Sequence, residues 1–161
     1  METSPNADFS IIIDGISQVI REWEKKLLNL PLEAISERRN AQNRTIKQLI
    51  GHLIDSASNN QQRMVRLQYS SNLVFPDYTQ DNDLWIAIQN YQKSDWISLV
   101  GLWKYYNLHI IQVIKNIDTS KLGNTWTDFE GNIVSLENMV NGYLGHLHLH
   151  MGEIEELAGR Q

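Results

Sequence analysis

Cysteine is absent from this 161-residue chain, and that one absence excludes disulfides, a thiolate metal site and a cysteine nucleophile. No apolar run approaches the length of a transmembrane span. Residues 1–8 carry neither a basic region nor a continuous apolar segment, so the expected location is cytoplasmic. An excess of basic charge is also missing. The formal net charge is −5 and the pI is near 5.5, which argues against nucleic acid or an anionic membrane as the main partner. There is no internal repeat, no low-complexity segment, no P-loop, no G-x-S-x-G and no G-x-G-x-x-G. No run of alternating β-branched residues stands out either, and the expected class is all-α.

What is present is an ordinary globular composition, 42% hydrophobic and 20% charged, long enough for one domain over residues 1–161. Four helical stripes can be traced. After Asp8, a candidate N-cap, Phe9, Ile13, Ile16, Ile20, Trp23, Leu27 and Leu30 recur at spacings of four and three, and Pro31 ends the run. Residues 32–44 are polar and aperiodic and read as a long connection. Thr45-Ile-Lys-Gln48 is a capping-box pattern, opening a helix with the seam Ile46, Ile50, Leu53, Ala57, Met64 and Leu67. Asn60 interrupts that seam. One step round the same helix lies Leu49, His52, Ser56, Asn59 and Arg63, a polar line that borders the core.

Residues 76–79 read as a turn and residues 81–91 as a short helix. Ser94-Asp95 restarts a longer one, with the seam Trp96, Leu99, Trp103, Tyr106, Ile110, Val113 and Ile117. Residues 118–135 read as a loop with a turn signal at residues 129–132. Ser135 can cap the last helix, whose seam is Leu136, Val140, Tyr143, Leu147, His150, Ile154 and Leu157. The architecture that follows is a four-helix bundle, up-and-down or permuted.

Three of the five histidines stand close together near the C-terminus. On a helix, His146 and His150 share a face with Cβ atoms roughly 5–6 Å apart, whereas His148 points to the opposite side. A histidine pair at i, i+4 can grip one metal ion, and the best candidate for a third ligand is His52. The competing reading is a set of core histidines, each bonded to a neighbouring tyrosine or carbonyl. Three neutral imidazoles would leave a divalent ion, zinc or nickel, with at least one open position. Glu153 faces the same way as His146 and His150. It is a candidate catalytic base for activated water, a fourth ligand, a partner that orients a histidine, or a half-exposed carboxylate. Asp55, one turn after His52, either orients that ring or faces water. Ser56, Asn59 and Arg63 are candidates for a pocket lining. His109 and His148 read as lying outside the site, and Trp23, Trp96, Trp103 and Tyr106 as core.

The Leu-x-Gly-His-Leu-x-Asp-Ser pattern of residues 49–56 resembles the DinB/YfiT-like superfamily of metal-dependent enzymes. So do Tyr78-Thr-Gln-Asp81 followed by Trp85, the Glu130-Gly131 loop, and the closing His146-x-x-x-His150-x-x-Glu153-Ile154. The resemblance implies a DinB-like four-helix bundle, often dimeric, with a metal held by His52, His146 and His150. Some members resemble thiol S-transferases that use a low-molecular-weight thiol.

The expected protein is therefore a cytoplasmic, homodimeric, metal-dependent enzyme acting on a small molecule. The leading activity is thiol-dependent S-transfer to an electrophile. The alternatives are a metal-dependent hydrolase with Glu153 as base and a non-catalytic metal-binding bundle. The apolar residues Ile12, Val65, Val100 and Ile111, left off the four seams, are the candidate self-association face.

Overall fold

The computed structural model describes residues 8–74 and 80–159. The reading of residues 1–7, the turn at residues 76–79 and the resemblance carried by Tyr78 and Thr79 lie outside the described residues. The described elements run α1 (Ser10–Leu28), α2 (Leu32–Ser36), α3 (Ile46–Arg66), β1 (Asn72–Val74), α4 (Asn82–Gln89), α5 (Trp96–Lys115), β2 (Thr125–Thr127), β3 (Ile133–Ser135) and α6 (Leu136–Gly159).

The four long helices begin where local chemistry starts them. The Asp8 carboxylate accepts from the Ser10 amide at 2.9 Å, although the cap position itself is Phe9. At α3 the capping box is complete: Thr45 Oγ1 accepts from the Gln48 amide, and Gln48 Oε1 accepts from the Thr45 amide at 3.0 Å. Asp95 accepts from the Ser98 amide at 2.9 Å, and Ser135 Oγ from the Asn138 amide at 3.1 Å. Each such cap satisfies donors that the first helical turn leaves orphaned, worth about 1 kcal/mol.

Residues 32–44 are not a structureless connection. The short helix α2 tucks Ala34 and Ile35 into the core, and five residues are too few for a periodic signal. Residues 118–135 likewise contain β2 and β3, which pair antiparallel and join β1, parallel to β2, in a three-stranded sheet. Three-residue strands are too short for alternation to register in sequence.

α3 and α6 bury the seams read from their sequences. α5 buries a broader face, and Val100 and Ile111 are only 1% and 6% exposed. They belong to the core because α5 packs against both α1 and α3. With Ile12 half-buried and Val65 exposed, the four proposed association residues do not form one surface face. α5 also buries Asn107, whose amide donates to the Trp103 carbonyl at 2.8 Å and accepts from the Tyr143 hydroxyl at 2.9 Å. This pair ties α5 to α6 inside the apolar core.

The principal contacts run α1–α5, α5–α3, α3–α6 and α6–α1. Helices consecutive along the chain, α1 and α3 and then α5 and α6, therefore face each other across the diagonal. This is the permuted order, and it sets α3 beside α6. No helix among the described residues is long and apolar enough to cross a membrane.

Gly51 on α3 lies against Tyr91, and any Cβ there would run into the ring. Gly51→Ala should lower stability by about 1–3 kcal/mol, the usual cost of overpacking. Gly101→Ala, where a Cβ meets nothing within 4 Å, should raise it by about 0.5–1 kcal/mol through helix propensity and a less free unfolded chain. Urea denaturation of the two variants checks both signs.

Candidate metal centre

His52 comes from the polar line of α3, and His146 and His150 from consecutive turns of α6. Because these helices are neighbours, the three rings meet. Their centroids lie 4.6 Å (His146–His150), 4.8 Å (His52–His150) and 5.7 Å (His52–His146) apart. One ring nitrogen of each falls within 4.8 Å of the other two. His52 and His150 are each 7% exposed, and His146 is half-buried. His148 and His109 are exposed and stand apart from the cluster.

Burial, and then the neighbouring imidazoles, push the His52 ring down to about 3 and the His146 ring to about 4. Both are neutral near pH 7, the form in which imidazole ligates metal. Nδ1 of His150 lies 2.8 Å from the Glu153 carboxylate. A proton on Nδ1 donated there leaves the Nε2 lone pair facing inward, the arrangement that orients metal-binding histidines. That Nε2 is 3.2 Å from Nε2 of His146. Two nitrogens bound tetrahedrally at zinc-type distances stand about 3.3 Å apart. Nδ1 of His52 is buried with no hydrogen-bond partner. The donor set thus fits a borderline divalent ion. Glu153 sits on the outer side of His150, and no carboxylate joins the three nitrogens among the described residues.

Asp55 neither faces water nor bonds to His52. It is buried, and its Oδ1 accepts from the Tyr91 hydroxyl at 2.7 Å and from the Gln89 amide at 2.8 Å. Burial raises its carboxyl above the usual range, and these two donors partly offset the rise.

A cavity of about 250 Å³ opens beside the histidines. Ser56, Asn59 and Arg63 line it, as their place on α3 suggested, together with His52 and His146. Its other wall comes from residues that the sequence alone did not place at the site: Gln80, Asn82, and Trp126, Asp128 and Phe129 of the β2–β3 hairpin. Asn59 donates to Gln80 at 2.7 Å. The Arg63 guanidinium lies 3.9 Å from the Trp126 ring centroid, a cation–π contact that joins the hairpin to α3. The Asp128 carboxylate accepts from the amides of Glu130 and Asn132 at 2.9 and 2.8 Å. Its hydrogen bonds, first that from the Asn132 side chain, hold it below the usual carboxylate range. Gly131, at φ +87°, supplies the left-handed residue that this turn requires. The turn signal at residues 129–132 marked the loop, but nothing local showed what the loop covers.

A family model described as the DinB superfamily matches residues 16–154. No curated protein matches the sequence. Among solved structures, YfiT from Bacillus subtilis, described as a probable metal-dependent hydrolase with an unusual four-helix bundle topology, superposes with a TM-score of 0.77. Its identity is 17%, over 98% of this chain and 90% of that one. A mutant of a mycothiol-dependent maleylpyruvate isomerase superposes with a TM-score of 0.67 at 11% identity. That match covers 96% of this chain, which spans 63% of the isomerase chain. At these identities the likeness speaks to the fold.

His52 and His146 are harder to protonate in the native chain than in the unfolded one. From about pH 6.5 down to about 3, the unfolded chain binds protons that the native chain refuses. Stability of the metal-free protein should therefore fall as the pH drops through that window and stay level with respect to these groups above it. Urea midpoints at about pH 7.5 and about pH 5 measure the drop, which His52→Phe should reduce.

Proposed function

The chain belongs to the DinB superfamily, and on that premise we propose that it is a metal-dependent enzyme transferring a small thiol to an electrophile. His52, His146 and His150 hold the ion in this reading, and Glu153 keeps His150 in its ligating tautomer. A divalent ion, zinc or nickel, supplies positive charge that lowers the pKa of a thiol from its free value of about 8.5.

The observation that carries the reading is the place of Glu153. Its carboxylate is engaged at 2.8 Å with the outer nitrogen of His150, so it is not poised over the three inner nitrogens as a base for water. A thiol activated by charge needs no such base. In the transfer, a sulfur–carbon bond forms and the bond from carbon to the leaving group breaks. The leaving group departs with the electron pair, and the thiol proton ends in solvent. The chain's own part is to seat the electrophile. Trp126 and Phe129 offer it aromatic surface, Asn59 and Gln80 offer amides, and the hairpin limits access of water from that side. The reading carries with it a cytoplasmic homodimer, whose mass light scattering measures.

Metal analysis of the purified protein should give about one divalent ion per chain, lost in His150→Ala and retained in His148→Ala. Glu153→Ala should weaken metal binding by about 10–100-fold in competition with a chromophoric chelator. Conjugation of N-acetylcysteine to monochlorobimane should require the metal and vanish in His150→Ala. Metal-dependent hydrolysis of p-nitrophenyl acetate without thiol, abolished by Glu153→Gln, would instead establish the hydrolase. A protein that binds metal but is inert in both assays would be a non-catalytic bundle.

A further inference from the structure

The helix that walls the hairpin-side cavity at Asn82 has few apolar anchors. Ile86 is the one buried residue of α4, and Leu84 and Ile88 are exposed. Its seat on α3 therefore depends on polar ties. At its start Arg44 pairs with Asp83 at 2.8 Å, and Asn59 donates to Gln80, which donates in turn to Asn82. At its end stands Asp55. Asn90, left-handed at φ +53°, turns the chain back after α4, so that Gln89 and Tyr91 both reach the same carboxyl. The Tyr91 ring rests on Gly51, the residue before His52.

Three side chains close a ring there. Asp55 Oδ1 lies 2.7 Å from the Tyr91 hydroxyl and 2.8 Å from the Gln89 amide nitrogen, and that hydroxyl lies 2.8 Å from Gln89 Oε1. Each of these contacts needs a hydrogen. With Asp55 ionised, the Gln89 N–H and the Tyr91 O–H both go to Asp55. The Tyr91–Gln89 contact is then two oxygens with no hydrogen between them. Turning the Gln89 amide over only moves the vacancy to the Gln89–Asp55 contact. A proton on Asp55 Oδ1 fills it. Asp55 then donates to Tyr91, Tyr91 donates to Gln89 Oε1, and the Gln89 N–H donates to Asp55.

The other carboxyl oxygen points the same way. Asp55 Oδ2 is buried with no hydrogen-bond partner, which is costlier for a carboxylate than for the carbonyl of a neutral acid. Burial raises the carboxyl, and the groups that act on it beyond burial are Tyr91 and Gln89. Burial, and then the bond to Asp55, hold the Tyr91 hydroxyl well above its ordinary range, so the proton that comes and goes is that of Asp55. Lys47 is engaged by the Ser94 carbonyl at 2.8 Å. The hydrogen bonds of Asp55 go to Tyr91 and Gln89 rather than to His52, one turn away on α3.

We propose that Asp55 is a positioning residue of the cavity: as a neutral acid it closes the ring with Tyr91 and Gln89 and seats α4, and on ionising it opens the ring and loosens the Asn82 wall. This latch stands whichever reaction the histidine centre carries. A native chain that binds the proton more tightly than the unfolded one gains stability that is full below about pH 3.9 and fades as the pH rises through the native midpoint. That dependence is opposite in sign to the one set by His52 and His146, and it is local to α4.

The test combines carbon-13 NMR of protein labelled at the aspartate Cγ with amide hydrogen exchange, from about pH 4.5 to about pH 8. Asp55→Asn, which keeps the shape and cannot ionise, identifies the Asp55 resonance. The midpoint of that resonance should lie above about pH 5, at least about tenfold tighter proton binding than in an ordinary aspartate. Protection of the α4 amides, measured relative to those of α1, should fall at least about 10-fold as the pH passes that midpoint, the effect of one buried hydrogen bond. In Asp55→Asn it should not change over the same range. Asp55→Ala should show the low protection at every pH. Should that variant fail to fold, Tyr91→Phe opens the ring by removing the hydroxyl alone and should show the same local loss. A midpoint at or below about pH 5 overturns the proposal. So does α4 protection that follows pH alike in the native protein and in Asp55→Asn, or that survives the ring-opening variants.

Discussion

Three imidazoles brought together between α3 and α6 are the constraint on which the rest of the centre depends. Each ring carries two nitrogens that need partners, and burying an unpartnered polar atom costs roughly 1–3 kcal/mol. The chain meets that need unequally. His150 has Glu153 on one nitrogen and His146 beside the other, whereas Nδ1 of His52 has no partner. The desolvation that lowers His52 to about 3 and His146 to about 4 also keeps lone pairs available near neutral pH. A bundle stabilised only by its core would gain by replacing these rings with leucines. Their cost makes sense where the lone pairs receive a ligand.

Much of this was legible in the sequence, and for identifiable reasons. The capping box at Thr45 and Gln48 and the seams of α3 and α6 depend on residues three and four apart, which is information local to the chain. The i, i+4 pair His146 and His150 is of the same kind. What escaped was tertiary. α5 reads as one seam, but it packs on two helices at once, so Val100, Ile111 and Asn107 are buried against expectation. Asp55 looked like a partner for His52 because it lies one turn away. Its actual partners are Tyr91 and Gln89, more than thirty residues further on. α2 and the three strands are too short to carry a period at all.

The hairpin shows how such short elements gain importance from where they sit. β2 and β3 are three residues each, and a two-stranded ribbon of that length has no stability of its own. It is held in place by pairing with β1, by the Asn124 amide bonded to the Leu67 carbonyl at the end of α3, and by Arg63 over Trp126. Those attachments all lead back to α3, the helix that supplies His52. The wall of the cavity and His52 are therefore fixed to one scaffold.

The order of the helices links these features. In a simple up-and-down bundle each helix neighbours the next, and the second and fourth long helices face each other across the diagonal, about 11–14 Å apart for packed axes 8–10 Å from their neighbours. A site made from such a pair would lie on the bundle axis, sealed by side chains from all four helices. Here the chain crosses the diagonal between α1 and α3 and again between α5 and α6. α3 and α6 thereby become neighbours, and the histidines meet at a seam rather than on the axis. At this seam the hairpin-side cavity opens beside His52 and His146. The packing order that the long connections hide in the sequence is thus the feature that brings His52 to His146 and His150.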